Sequence, residues 1–275
     1  MNRRSFHAPF IWFALALSLT HCAKVPITGR SQLSLVPNNQ VLPMSFEQYE
    51  EVKKTSEIVT SGEDADMVKR AGTNIQKGVE QYFAELGQSS YLDDYKWEYI
   101  LIKDDKTVNA WCMPGGKVAF YTAILPICKD ETGLAVVMGH EIAHAIANHG
   151  RERISQTLVT QTGLSIASIA LGGAGASLTG DMILQGAGAA SNLGILKFSR
   201  KHESEADELG LYFMAMAGYD PQQAPAFWQR MSAKSSGGNA PPEFMSTHPS
   251  HDTRISDLNK NMPKALEYYR AAKGN

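Results

Sequence analysis

Apolar residues recur at helical spacing among charges from Ser45 to about Thr60, and again from Glu63 to about Leu86, which predicts two amphipathic helices. Trp97 to Ile102 (WEYILI) is aromatic and β-branched and predicts a strand. Thr107 to Met113 and Lys117 to Tyr121 predict two more, joined by a Pro114-Gly115-Gly116 turn. A helix follows from about Asp130 to Asn148, with Gly150 as its stop. Leu134, Val136, Val137, Ile142, Ala143, Ala145 and Ile146 leave it almost no polar face, so it belongs in a core. Residues 160–195 are rich in Gly, Ala, Ser, Leu and Ile. Gly172-Gly173, Gly175, Thr179-Gly180-Asp181 and Gln185 break that run below a membrane span, which predicts small-residue helices packed on the domain. Helices from about Phe198 to Ala217 and Pro221 to about Met231, a flexible SAKSSGGNAPPE linker and a last segment from Ser246 to Tyr269 complete the pattern. The fold class expected is α+β, mostly helical, with a small antiparallel β-sheet beside the buried helix.

The amino terminus obeys different rules. Asn2-Arg3-Arg4 precedes a short apolar core, Phe10 to Leu19, well under the ~20 residues of a stable membrane anchor, so residues 1–21 predict an export signal. Leu19-Thr20-His21-Cys22 resembles the bacterial lipobox, in which the cysteine becomes the lipidated first residue. His21 departs from that pattern, because a small residue normally precedes the cysteine; plain secretion is the alternative. Ala23 in place of Asp after Cys22 resembles the outer-membrane sorting pattern. The polar, Pro-punctuated stretch over 22–44 predicts a lipid-linked tether, and 45–275 the folded domain. That places the protein on the periplasmic face of the outer membrane.

Composition narrows the class further. The chain has 275 residues, 26 basic and 28 acidic, with 43% hydrophobic and 20% charged. These are ordinary globular values and exclude a disordered tail, a collagen-like fibre and a disulfide-dense miniprotein. Near neutrality without a long basic run argues against nucleic acid as a partner. Cys112 and Cys128 form an even pair in an oxidising compartment; a bridge and two buried thiols are both open.

The chemistry is concentrated in His140-Glu141-Ile142-Ala143-His144. Histidines four apart lie one turn apart on one helix face, so both imidazoles can grip one ion, and the intervening Glu141 can take a proton from a metal-activated water. With 8 His in 275 residues, an accidental HExxH is expected roughly once in a hundred such chains. A buried helix makes an idle pair still less tolerable, since unpartnered polar groups there are costly. A catalytic zinc takes three protein ligands. Continuation to HExxHxxGxxH fails, because Ala147 and Gly150 stand where Gly and His are required. His149 is five residues past His144, which turns it away from the metal face. Downstream, in SRKHESEAD, Glu203 can complete a His₂Glu set, and Asp207, one turn on, is placed to accept the free N–H of a ligand histidine. Glu205 and Glu208 read as solvated charges. His202, about 100° round the helix, is left out of the set.

HEIAH followed by SRKHESEAD resembles peptidase family M-48, zinc metalloendopeptidases that include CAAX prenyl and mitochondrial Oma-type proteases. VPITGRSQLSLVP, NAWCMPGGKVAFYTAIL, GYDP and STHPSHDTRI are similar to its small periplasmic lipoprotein branch. The resemblance implies a zincin-like fold, one zinc ion held by His140, His144 and Glu203, Glu141 as catalytic base and Asp207 behind the ligands. It implies polypeptide substrates, misfolded or stalled envelope proteins, and a link to envelope assembly machinery. His248 is a candidate oxyanion donor. Arg254 is a candidate ion-pair clamp on that loop. Asn109, with the strand Lys117–Tyr121, is a candidate edge for an extended substrate. A rival reading is an outer-membrane assembly or chaperone lipoprotein with a structural metal site. Such a site is normally closed by four protein ligands, and the sequence offers three.

Overall fold

The computed structural model describes residues 22–157, 198–236, 243–249 and 253–274. Residues 1–21 and 160–195, read as export signal and small-residue helices, lie outside the described residues. The strands among these residues are β1 (Cys22–Lys24), β2 (Ser31–Leu33), β3 (Ile58–Val59), β4 (Glu98–Ile102), β5 (Ala110–Met113) and β6 (Lys117–Tyr121). The helices are α1 (Asn38–Thr55), α2 (Glu63–Glu85), the single turn α3 (Leu125–Cys128), α4 (Glu131–Ile146), α5 (149–157), α6 (Arg200–Met216), α7 (Ala224–Ser236), α8 (Glu243–Thr247) and α9 (Arg254–Lys273). The protein is mostly helical with small sheets, as its pattern predicts.

β1 and β2 form an antiparallel hairpin, and a four-stranded sheet runs in the order β3-β4-β6-β5. Both outer pairs of that sheet are antiparallel and the central β4·β6 pair is parallel, with Leu101 opposite Phe120. β6 is therefore internal, and among the described residues the edge strand beside α4 is β5. Alternation of side chains gives the sheet two apolar faces. Leu101, Ala110, Val118 and Phe120 join the main core with α2, α4 and α6, while Ile100, Ile102, Trp111 and Ala119 pack with Tyr49 of α1. Gly115 and Gly116 both have positive φ in the β5–β6 turn, where an added Cβ would strike Phe46 and Trp97.

The stretch expected to be a tether is part of the fold. Val25 and Val36 are fully buried, Leu35 N donates to Ser155 Oγ at 3.0 Å, and α1 begins at Asn38 and runs through Pro43. Apolar side chains spaced too widely to read as an element are enough to dock this segment. Residues 232–236 of the expected linker continue α7. Cys112 and Cys128 are free thiols, Cys128 deep in the core.

α4 is capped by Asp130, whose side chain accepts from Gly133 N at 2.8 Å, and α6 by Ser199, which accepts from His202 N at 3.2 Å. The two helices cross with backbones touching: a Cβ on Gly210 would lie 2.7 Å from His140 N. α4 ends earlier than Gly150 implied. Asn148 adopts a left-handed φ of 55°, and α5 sets off in a new direction from residue 149.

Candidate metal centre

The crossing of α4 and α6 brings two separately predicted motifs into one buried site. Nε2 of His140 and Nε2 of His144 are 3.1 Å apart. Glu203 Oε1 lies 3.5 Å from His144 Nε2, and Oε2 lies 3.5 Å from His140 Nε2. His248, just past α8, points Nδ1 into the same space, 3.3 Å from His140 Nε2 and 3.1 Å from Glu203 Oε1. One donor atom from each of these four residues falls within 4.8 Å of all the others. For zinc–nitrogen bonds of ~2.0–2.1 Å, the edge of a tetrahedron is about 3.3 Å. The closest contacts, 3.1–3.5 Å, lie near that value, with Glu203 meeting His140 and His144 through different oxygens, so the residues present fit a single ion. His248 Nε2 is also 3.5 Å from Glu141 Oε1, which places Glu141 at the rim of the cluster.

Positioning groups stand behind the donors. Asp207 Oδ1 is 3.0 Å from His140 Nδ1, in contact although outside linear hydrogen-bond geometry. Arg254 donates from Nε to Asp207 Oδ2 at 2.7 Å and from Nη2 to Glu203 Oε2 at 2.6 Å, with its guanidinium 3.9 Å above the Trp228 ring. The loop clamp read from the sequence is thus a clamp on the carboxylates themselves. Asn109 is buried; its Oδ1 accepts from Ala110 N at 2.9 Å, and its Nδ2 donates to Glu243 Oε1 at 3.3 Å. The proposed substrate edge on Lys117–Tyr121 is corrected by the sheet order, because β6 is hydrogen-bonded on both sides; β5, directly after Asn109, is an edge strand among the described residues.

Burial pushes the Glu141 carboxyl up, with His248 and His140 opposing. Burial also opposes ionisation of Glu203, but the neighbouring His248, His140 and His144 outweigh it and hold that carboxyl well below the usual range. His140 is desolvated, yet Asp207 and Glu203 raise it to about 9, while burial drives His144 well below its ordinary value. Sequence reasoning missed two more histidines. His149 Nδ1 lies 2.9 Å from His144 Nδ1, because the left-handed turn at Asn148 swings it back. His202 pairs with Glu152 at 3.0 Å. Glu205, expected to be solvated, is buried against His149 and Arg30, whose hydrogen bonds outweigh its desolvation and hold it at about 2.

Residues 73–262 match the description Peptidase family M48. The chain belongs to that family. It is a metalloendopeptidase, a hydrolase acting on peptide bonds, and metal-dependent. It is 34% identical over 247 residues to the mitochondrial metalloendopeptidase OMA1 of Schizosaccharomyces pombe, covering 90% of this chain and 68% of that one. The corresponding protein of Saccharomyces cerevisiae is 31% identical over 259 residues, covering 91% and 72%. The Beta-barrel assembly-enhancing protease of Escherichia coli is 30% identical over 189 residues, 64% of this chain and 37% of that protein. Among the described residues of this metallopeptidase, no helix is long and apolar enough to cross a membrane.

Proposed function

We propose a zinc endopeptidase in which His140, His144 and Glu203 hold the metal and Glu141 is the general base. The observation that carries this is the convergence of those three residues in one buried site, their nearest donor atoms 3.1–3.5 Å apart. A bound zinc ion would supply Lewis acidity at the scissile carbonyl and lower the pKa of water toward ~7. Glu141 takes the proton from the attacking water and returns it to the leaving amine. A carboxyl raised by burial is suited to both halves of that transfer. His248 donates to the oxyanion as the tetrahedral intermediate forms. Asp207 and Arg254 keep His140 and Glu203 oriented, and β5 with Asn109 at its start offers an edge for an extended substrate backbone.

The substrates are misfolded or stalled envelope proteins, reached from a lipid on Cys22 at the periplasmic face of the outer membrane. Support comes from the export pattern of residues 1–21, the cysteine directly after it, and the likeness to a relative named for enhancing β-barrel assembly. A second reading, assembly factor with a structural metal, is favoured by one observation: His248 fills a fourth corner, as in a closed site. In the catalytic reading His248 yields that corner to the substrate and donates to its oxyanion. Proteolysis of an unfolded casein-like substrate decides between them. Cleavage that needs zinc and disappears with chelator and in Glu141→Gln supports the peptidase reading. A zinc-loaded protein that leaves casein intact while binding unfolded chains overturns it.

A further inference from the structure

Behind His144, on the side away from Glu203, a second run of buried polar groups stands outside the catalytic set. His149 Nδ1 faces His144 Nδ1, and His149 Nε2 is 2.9 Å from Glu205 Oε2. Glu205 also accepts from Thr28 Oγ1 and Arg30 Nε, both in the connection between β1 and β2. Arg30 reaches Glu152 at 2.8 Å, Glu152 accepts from His202, and the His202 ring stacks on His149 with centroids 4.4 Å apart.

Two ring nitrogens 2.9 Å apart form a hydrogen bond only if one carries the proton and the other a lone pair. A His144 that ligates through Nε2 must carry its proton on Nδ1, so it is the donor. His149 then accepts at Nδ1 and carries its own proton on Nε2, aimed at the Glu205 carboxylate. The Arg30 guanidinium offsets the charge of that carboxylate. The whole chain has one consistent assignment of protons, and it leaves His144 Nε2 bare for a metal. His149 and Glu205 do at His144 what Asp207 does at His140.

We propose that His149 is a positioning residue for His144, and that Thr28 and Arg30 complete the support by holding Glu205, which makes the amino-terminal hairpin a working part of the metal centre. The proposal rests on His144 being a ligand. It extends that reading to residues more than a hundred positions away, which reach the site through this chain of contacts.

The test is a zinc competition titration against a chromophoric chelator, with the visible spectrum of the cobalt-substituted full chain as a second readout. His149→Phe keeps ring volume but removes the acceptor, and should weaken metal binding roughly 10- to 100-fold and shift the cobalt bands. Arg30→Met should shift both in the same direction, and Arg30→Lys should restore most of the loss. Combining His149→Phe with Arg30→Met should add little to His149→Phe alone, because both act through one path. Affinity within about twofold of wild type for both single variants, or losses that multiply fully, overturns the proposal. If His149→Phe does not fold, Thr28→Val and the Arg30 pair carry the same comparison. His144→Ala run in parallel separates the two claims: if it too retains full affinity, the ligand reading fails; if it alone loses affinity, only the positioning role does.

Discussion

Gly210→Ala tests whether the site depends on how closely its two helices approach. A Cβ at this position would lie 2.7 Å from His140 N, 2.9 Å from Gly139 C and 2.9 Å from His140 Cα. Ordinary carbon contacts need about 3.5–4.0 Å, and backbone cannot turn aside as a side chain can, so α4 and α6 must part by roughly 0.5–1 Å. In an open helix the same change would gain about 1 kcal/mol of helix propensity. Overpacking costs about 1–3 kcal/mol and cancels or reverses that gain. The larger effect falls on the site. The clash is with His140 itself, and the displaced helix carries Glu203 and Asp207, while metal sites tolerate only about 0.2 Å in ligand distance. We expect zinc affinity to fall tenfold or more and kcat/KM to fall by a factor on the order of 100. Urea unfolding of metal-free protein and a zinc competition titration measure the two separately. A Gly210→Ala protein that is about 1 kcal/mol more stable, with unchanged affinity, would refute the close-crossing argument.

Asp207→Ala should weaken zinc binding by roughly tenfold or more, and unchanged affinity in a competition titration would remove Asp207 from the support of His140. Arg254→Met leaves the buried Glu203 and Asp207 carboxylates without their cation and should cost about 3–5 kcal/mol in metal-free protein; a urea midpoint near wild type would show that their charges are met elsewhere. The pH dependence of metal-free stability has three limbs. Burial lowers His149 from 6.5 to about 4, so the unfolded chain takes that proton first and stability falls between pH 6.5 and 4. Glu205 and Glu152, at about 2 against an ordinary 4.5, contribute fully above pH 4.5 and lose that contribution toward pH 2. His140, at about 9, contributes fully below pH 6.5 and loses this as pH rises to 9. Urea midpoints across this range should therefore peak near pH 6.5, and His149→Gln should make the limb from 6.5 to 4 shallower, the depressed His144 retaining part of it; a profile rising from pH 6.5 to 9 contradicts the His140 term.

Local spacing made the centre of the site legible. HExxH places two imidazoles one turn apart whatever surrounds the helix, and Glu203 and Asp207 share a face for the same reason. The strands and the buried helix were legible because their periods of 2 and 3.6 are properties of the backbone. What the pattern of residues cannot carry is which faces meet. His248, Arg254 and the chain from Arg30 to His149 act across separations of 45 to 175 positions. Their roles exist only once α4 and α6 cross and the left-handed turn at Asn148 redirects the chain. The internal position of β6 likewise follows from strand order, which is decided by packing between distant segments. The tether reading failed for the same reason: Val25, Val36 and Arg30 show no period in the sequence, and their value lies entirely in the surfaces they reach.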